Sequence, residues 1–329
     1  MNGRPQLAVL GAGAWGTALA GAMARAGNAV TVWARDPAVA AEINATATNR
    51  RFLAGIEFGH AFAATAELAA ALGRADIILL VVPAQSVAAM AGTLAPLVRP
   101  GTAVVGCAKG IDRASGRLPH QTLSDALPGC PVAALSGPSF AADVARGLPT
   151  AVTVASRHLE MSSWLARRLS SPAFRCYASD DLTGVELGGA LKNVLALAVG
   201  AARGLKLGAS AEAALIARGF AELTRLARAL GARAETLMGL SGLGDLVLTC
   251  SGPQSRNFAY GVALGEGAPL EGRPLAEGVA TAAIAARLAA DHSVDAPIIG
   301  AVADVLDRRL TAREAVALLL DRPLKHETL

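Results

Sequence analysis

The chain has 329 residues, 53% of them hydrophobic and 17% charged, with a formal net charge of +4. A chain this long forms about two domains around a large core, and its apolar share excludes a disordered polymer. The mild charge and the lack of a dense Lys/Arg tract argue against nucleic acid as a partner and leave small acidic substrates open.

Arg4 and the apolar stretch Leu7 to Ala24 imitate a signal peptide. The fixed spacing of Gly11, Gly13 and Gly16 inside that stretch argues instead for a folded unit. The first half alternates short apolar runs with Ala-rich helical segments. Strands are expected at 6–11, 29–33, 76–82, 102–108 and 132–137, with two more at 150–156 and 174–179, and helices at 14–26, 65–72 and 84–95. Strands alternating with helices predict a doubly wound parallel sheet.

After Ser179 the strand signal stops. Helices are expected at about 181–203, 210–230, 234–239, 257–264, 277–291, 297–307 and 311–320, separated by Gly/Ser/Pro-rich connections such as GLSGLGD and CSGPQSRN. The boundary therefore falls near 180: residues 1–180 form an α/β domain and 181–329 an all-α domain. Beyond the N-terminal stretch, no apolar run approaches the ~20 residues that span a membrane. The four cysteines (Cys107, Cys130, Cys176, Cys250) are scattered, with no CxxC pair and no His at ligand spacing. This points to a reduced cytosolic protein without a metal site.

LAVLGAGAWGTALA matches G-x-G-x-x-G with Gly11, Gly13 and Gly16. The first glycine permits the tight turn, the second lets backbone approach a pyrophosphate, and the third lets the helix pack closely. The helix N-terminus supplies free N–H groups and partial positive charge. The next strand ends VWARD, and Arg35 there suits a 2′-phosphate, so NADP(H) is expected, with NAD(H) as a second cofactor. As a bare surface charge Arg35 has an equally ordinary reading.

Three further stretches place polar residues beside glycine turns: CAKGID with Lys109, LSGPSFA with Ser136, Gly137 and Ser139, and SGLGDLVLTCSGPQSRN with Asp245, Ser255, Arg256 and Asn257. Ser255 or Asn257 could serve only as a helix cap, Asp245 could satisfy turn amides, and Lys109 could be a solvated strand-end charge. A Ser-Arg-Asn helix start is also an oxyanion binder. Only four of the 30 basic residues are lysine (Lys109, Lys192, Lys206, Lys325), so each is informative. In GVELGGALKNVLALAVG, Lys192 leans back over Gly189 and Gly188, which predicts an open wall through which a small ligand reaches the amine. A desolvated amine suits general acid/base work, which Arg cannot do.

GAGAWGTALA, VVPAQ, KGI, SGPSFA, GVELGGALKNVLALAVG, SGLGDLVLTC…SRN and EGVATA, in this order from about residue 7 to 290, resemble the bacterial NAD(P)-dependent glycerol-3-phosphate dehydrogenase family. The resemblance implies a Rossmann-type fold with an all-α C-terminal domain, and an active site between the two. It implies reduction of dihydroxyacetone phosphate to sn-glycerol 3-phosphate in the cytoplasm, for glycerophospholipid synthesis. It gives cofactor contacts to Gly11, Gly13, Ala14, Trp15, Gly16, Arg35, Lys109, Ala141, Arg256 and Glu277. It gives substrate contacts to Lys109, Gly137, Ser139, Lys192, Asp245, Ser255, Arg256 and Asn257, with Lys192 as proton donor and acceptor and Asp245 beside it. Leu53-Ala54-Gly55 and Ser210 depart from the family pattern, away from the lysine motif. A two-domain dehydrogenase acting on hydroxy acids such as 6-phosphogluconate or 3-hydroxyisobutyrate is the alternative in the same class. A non-catalytic NAD(P)H sensor would have no reason to keep Lys192 beside paired glycines. Oligomeric state is not legible, a homodimer being left open, and Asn193 is open between substrate contact and bundle packing.

Overall fold

The computed structural model describes residues 5–323; Arg4 and Lys325 lie outside the described residues. The chain divides into two compact units, one comprising the chain up to Ala108 with Pro119–Leu182, the other Lys109–Leu118 with the chain from Thr183 on.

The first unit is built on one eight-stranded sheet: β1 (Gln6–Leu10), β2 (Ala29–Trp33), β3 (Ala63–Thr65), β4 (Ile77–Leu80), β5 (Ala103–Gly106), β6 (Val132–Ser136), β7 (Thr150–Ser156) and β8 (Phe174–Ser179), in the spatial order β3-β2-β1-β4-β5-β6-β7-β8. β4 and β5 are buried throughout and β1 along all but its first residue. Strands covered by helices on both faces read as unbroken apolar runs, as these do. The chain leaves β1 for β2 on one side and returns to β4 on the other, so the order reverses at the carboxyl end of β1, where α/β sheets bind ligands. The signal-peptide-like stretch is β1 and the helix Ala14–Arg25, both packed into the core.

Two features differ from the sequence expectation. β3 is only three residues, in an Ala-rich segment without β-branched signal until Thr65, and was hidden for that reason. The sheet is also mainly, not wholly, parallel: β7 pairs antiparallel with β6, and β8 runs parallel to β7. Between β6 and β7 lies only the five-residue helix Ala141–Ala145, whereas the helix Leu159–Leu169 gives β7 and β8 the crossover a parallel pair needs.

The second unit is helical. Its central helix, Leu182–Gly204, is surrounded by Ala209–Ala229, Ala234–Leu237, Asp245–Cys250, Arg256–Glu266, Glu277–Asp291, Pro297–Leu306 and Ala312–Leu320. Contrary to the expectation that no such run exists, this helix is long and apolar enough to cross a membrane, but 89% of its most apolar window is buried inside the protein. Its hydrophobicity serves the bundle core, through Val185, Leu187, Leu191, Val194 and Leu195.

Glycines set how closely one neighbour approaches. A Cβ on Gly200 would strike the Phe258 carbonyl and one on Gly261 the Leu197 carbonyl; Gly204 and Gly265 make the same exchange with Val262 and Ala201. The paired positions advance together along both helices, so Leu182–Gly204 and Arg256–Glu266 run parallel with their backbones in contact. The arrangement brings Asn257, near the start of the shorter helix, level with Asn193. Gly261→Leu must push these helices apart and is expected to cost about 1–3 kcal/mol, the usual cost of overpacking, measured by chemical denaturation.

Candidate active site

At the carboxyl end of β1, Gly11 adopts φ +119° and a Cβ there would collide with the Val81 carbonyl, so only glycine makes this turn. Gly16 abuts the Gly11 carbonyl, while a Cβ on Gly13 would have nothing within 4 Å. The loop is therefore tight where protein packs on protein and open where a pyrophosphate would lie. No side chain caps the N-terminus of Ala14–Arg25, which leaves Ala14, Trp15 and Gly16 to offer backbone N–H groups to an anion. Residue types and free space thus fit a dinucleotide. Asn49, which the sequence reading missed, is fully buried and donates to the Ala12 carbonyl (3.0 Å) and Thr17 Oγ1 (2.8 Å), pinning the loop.

Arg35 is exposed just past β2. Its neighbour Asp36 caps the helix Pro37–Thr46 by accepting from Ala38 N (3.0 Å), and pairs with Arg51 at 3.5 Å. Gly137, φ +148°, follows β6 with its Cα against Val152, and Ser139 Oγ donates back to its carbonyl at 2.9 Å. Ala141 opens the short helix after it.

The remaining candidates belong to the helical unit. Lys109, expected as a strand-end residue of the sheet, groups with the helices through the segment Lys109–Leu118. Its Nζ lies 2.7 Å from Asp245 Oδ2, and Lys192 Nζ lies 2.5 Å from Asp245 Oδ1. One carboxylate, 1% exposed, thus joins two ammonium groups. Asp245 is the first residue of Asp245–Cys250 and follows a π-helical turn, Leu240–Gly244, which sequence reading took for a plain Gly-rich connection. Thr249, one helical turn beyond Asp245, accepts from Lys192 Nζ (2.6 Å) and donates to Asp245 Oδ1 (3.2 Å). The sequence reading missed it, although its i+4 spacing from Asp245 was the available signal. Two of the three Lys192 N–H bonds are taken by Asp245 and Thr249.

Burial lowers the Lys192 ammonium from its usual 10.5 to about 8, with the nearby Lys109 charge adding to the fall and Asp245 opposing it. Burial alone would push Asp245 up, but the two ammonium groups outweigh it and hold the carboxyl below its ordinary value. The cluster carries one net positive charge in a nearly dry setting, where a developing oxyanion is stabilised most.

The open wall expected at Gly188 is closed. A Cβ there would meet the Ser241 carbonyl oxygen at 2.8 Å, so this glycine admits the π-helical turn that delivers Asp245, not a ligand. The Gly189 carbonyl accepts from Asn193 Nδ2 at 3.3 Å. Ser255 is the N-cap of Arg256–Glu266, accepting from Phe258 N at 3.2 Å, and Arg256 is exposed at the first helical position. Asn257 is buried against Asn193, and Glu277, half-buried, starts the helix Glu277–Asp291.

A doubly wound sheet with an uncapped glycine loop, followed by a helical unit holding a lysine of lowered pKa, defines a two-domain dinucleotide-dependent dehydrogenase. The family models agree: NAD-dependent glycerol-3-phosphate dehydrogenase N-terminus matches residues 6–162 and the C-terminus of the same family matches 181–317. The chain belongs to the NAD-dependent glycerol-3-phosphate dehydrogenase family. It is 57% identical over 321 residues to glycerol-3-phosphate dehydrogenase [NAD(P)+] of Chelativorans sp. (strain BNC1), covering 98% of both chains. It is 54% identical over 322 residues to the enzyme of that name from Brucella canis, covering 98% of this chain and 99% of the relative. Glycerol-3-phosphate dehydrogenase from Coxiella burnetii, a solved structure, superposes with a TM-score of 0.91 at 40% identity, over 97% of this chain and 99% of the other.

Proposed function

We propose that the enzyme reduces dihydroxyacetone phosphate to sn-glycerol 3-phosphate with NAD(P)H and so feeds glycerophospholipid synthesis. The observation that carries the chemistry is Lys192: a buried amine with a pKa near 8, braced by Asp245 and Thr249. When bound, the nicotinamide supplies the hydride that goes to C2 of the substrate. Lys192, as ammonium, donates a proton to the C2 oxygen, and in the reverse direction the neutral amine takes one from the hydroxyl. Asp245 orients the amine and holds both lysines around one charge. Lys109, also a cofactor contact, adds positive charge beside the developing alkoxide. Arg256 at the exposed helix start, with Ser255 and the first backbone N–H groups, holds the substrate phosphate and fixes C2 in place. Gly137 and Ser139 give further substrate contacts, and Glu277 and Ala141 contact the cofactor.

Arg35 sets the preference between cofactors, because Asp36 beside it is spent on a helix cap. Arg35→Ala is expected to raise KM for NADPH about tenfold, the worth of one charge-assisted hydrogen bond, with KM for NADH nearly unchanged; equal effects on both would remove this role. We take the enzyme to be cytoplasmic, which fractionation decides, and light scattering decides whether it is a homodimer. The decisive experiment follows NADPH and NADH oxidation with dihydroxyacetone phosphate against a panel of ketones and keto acids, with sn-glycerol 3-phosphate identified as product. Faster turnover of a keto acid would replace the substrate, and no turnover of any carbonyl would end the enzymatic reading.

A further inference from the structure

Arg51 belongs to none of the motifs that mark the cofactor site, yet the fold carries it there. Asn49 anchors its segment: this buried amide donates to the Ala12 carbonyl and to Thr17 Oγ1, so the segment hangs from the glycine loop itself. The amides of Phe52 and Leu53 both donate to the Asn49 carbonyl, at 3.2 and 2.8 Å, and wind one tight turn that ends on buried Leu53. From the helix Pro37–Thr46, Glu42 Oε1 accepts from Arg50 N at 2.9 Å and from Thr48 Oγ1 at 3.2 Å. Arg51 thus sits on a fixed backbone, two residues after the one that pins the pyrophosphate loop. Its side chain is held as well. Nη1 lies 3.5 Å from Asp36 Oδ2, and the guanidinium carbon stands 5.2 Å from the centre of the Phe52 ring.

We propose that Arg51 is a second anchor for the 2′-phosphate of NADP(H), acting beside Arg35 and delivered by the Asn49 turn. Asp36 follows Arg35 just past the carboxyl end of β2, where a sheet of this kind tells a ribose 2′-hydroxyl from a 2′-phosphate. An acidic residue there favours the hydroxyl. Here Asp36 Oδ1 accepts from Ala38 N and Oδ2 faces Arg51, so both oxygens already have partners in the protein. The pair holds Arg51 in place without binding it strongly. Its side chains are 68% and 51% exposed, and an ion pair so open to water contributes little. A phosphate monoester carries more charge than a carboxylate and offers three oxygens to the planar fork of a guanidinium. The Phe52 ring further restricts that fork, which lowers the entropy lost on gripping the phosphate. The inference deepens the cofactor reading above and rests on NADP(H) lying along the Gly11–Gly16 loop.

The test uses the full-length enzyme with Arg51→Ala and Arg51→Lys, and titrates adenosine 2′,5′-bisphosphate and 5′-AMP by calorimetry, so that no turnover is involved. Arg51→Ala is expected to weaken the bisphosphate about five- to tenfold at low salt, the loss of one charge-assisted contact at an exposed site. Binding of 5′-AMP should change less than about twofold, since it lacks the 2′-phosphate. The bisphosphate effect should shrink as salt rises to about 0.5 M, where exposed charges are screened. Arg51→Lys keeps the charge without the fork and should recover only part of the loss. Both variants should melt within about 2 °C of wild type, because the pair with Asp36 is exposed. Equal weakening of both nucleotides would place Arg51 on the adenine or the 5′-phosphate, and no weakening of either would leave it a solvated ion pair. Each of these two results overturns the proposal and leaves the role of Arg35 standing. Wild-type enzyme that binds the bisphosphate no more tightly than 5′-AMP refutes the NADP(H) reading itself, and the roles of both arginines fall with it.

Discussion

Lys192→Ala is expected to lower kcat for reduction of dihydroxyacetone phosphate by about 10³-fold or more, because it removes both the proton donor and a charge beside the developing alkoxide. The fold should survive. Asp245 remains paired with Lys109 at 2.7 Å, so no buried carboxylate is orphaned, and the removed amine was itself costly to bury. Lys192→Arg should not rescue turnover, since a guanidinium neither gives up its proton nor fits the space between Asp245 and Thr249. The pH dependence carries the same signature. With the ammonium as acid and its pKa at about 8, kcat/KM for reduction falls as pH rises through that value, and for oxidation it rises. Stopped-flow or steady-state NADPH oxidation with melting curves for each variant measures both. Near-normal turnover by a folded Lys192→Ala enzyme would remove Lys192 from the chemistry.

The parts of this site that the sequence revealed are those whose residue type is itself unusual. Lys109 and Lys192 stood out because the chain otherwise uses arginine, and Asp245 because it sat among glycines and apolar residues. The Gly11-Gly13-Gly16 loop was legible because its spacing, strand and helix all lie within one short stretch. What escaped was determined by partners distant in the chain. Gly188 was read as a gap for a ligand, yet its partner is the turn at Ser241, and nothing local reveals that approach. Gly200 and Gly261 carry no local signal of their role; each is explained by the other. Thr249 became functional only when helix Asp245–Cys250 placed its hydroxyl against Lys192. In the sheet, the reversed direction of β7 depends on the short link from β6. Apolar strands of either direction carry the same pattern.

Asp245→Ala is expected to be the most disruptive single change in the helical unit. It leaves two ammonium groups facing each other across the space of one carboxylate, from which Lys192 cannot withdraw, its side chain being 6% exposed. Lys109, at 16%, has some freedom to turn outward. Removing one partner of a buried ion pair typically costs about 3–5 kcal/mol, and turnover should fall with it because the amine loses its orientation. The loss has a pH signature whose sign follows from linkage. In the unfolded chain Lys192 keeps its proton to its ordinary value of 10.5, whereas in the wild-type fold it releases it near 8. Asp245 raises that folded value, so without it the amine releases its proton at still lower pH. Between the variant's folded pKa and about 8, the folded variant is neutral at Lys192 while the folded wild type and both unfolded chains are protonated. There the unfolded variant binds more protons than the folded one, so the variant gains stability as pH rises and the wild type does not. The gap in melting temperature should therefore be wide near pH 6 and narrow by pH 8. Asp245→Asn, which keeps the shape and removes the charge, should follow the same trend. A gap that stays constant with pH would mean that the loss comes from packing and that Asp245 does not set the charge state of Lys192.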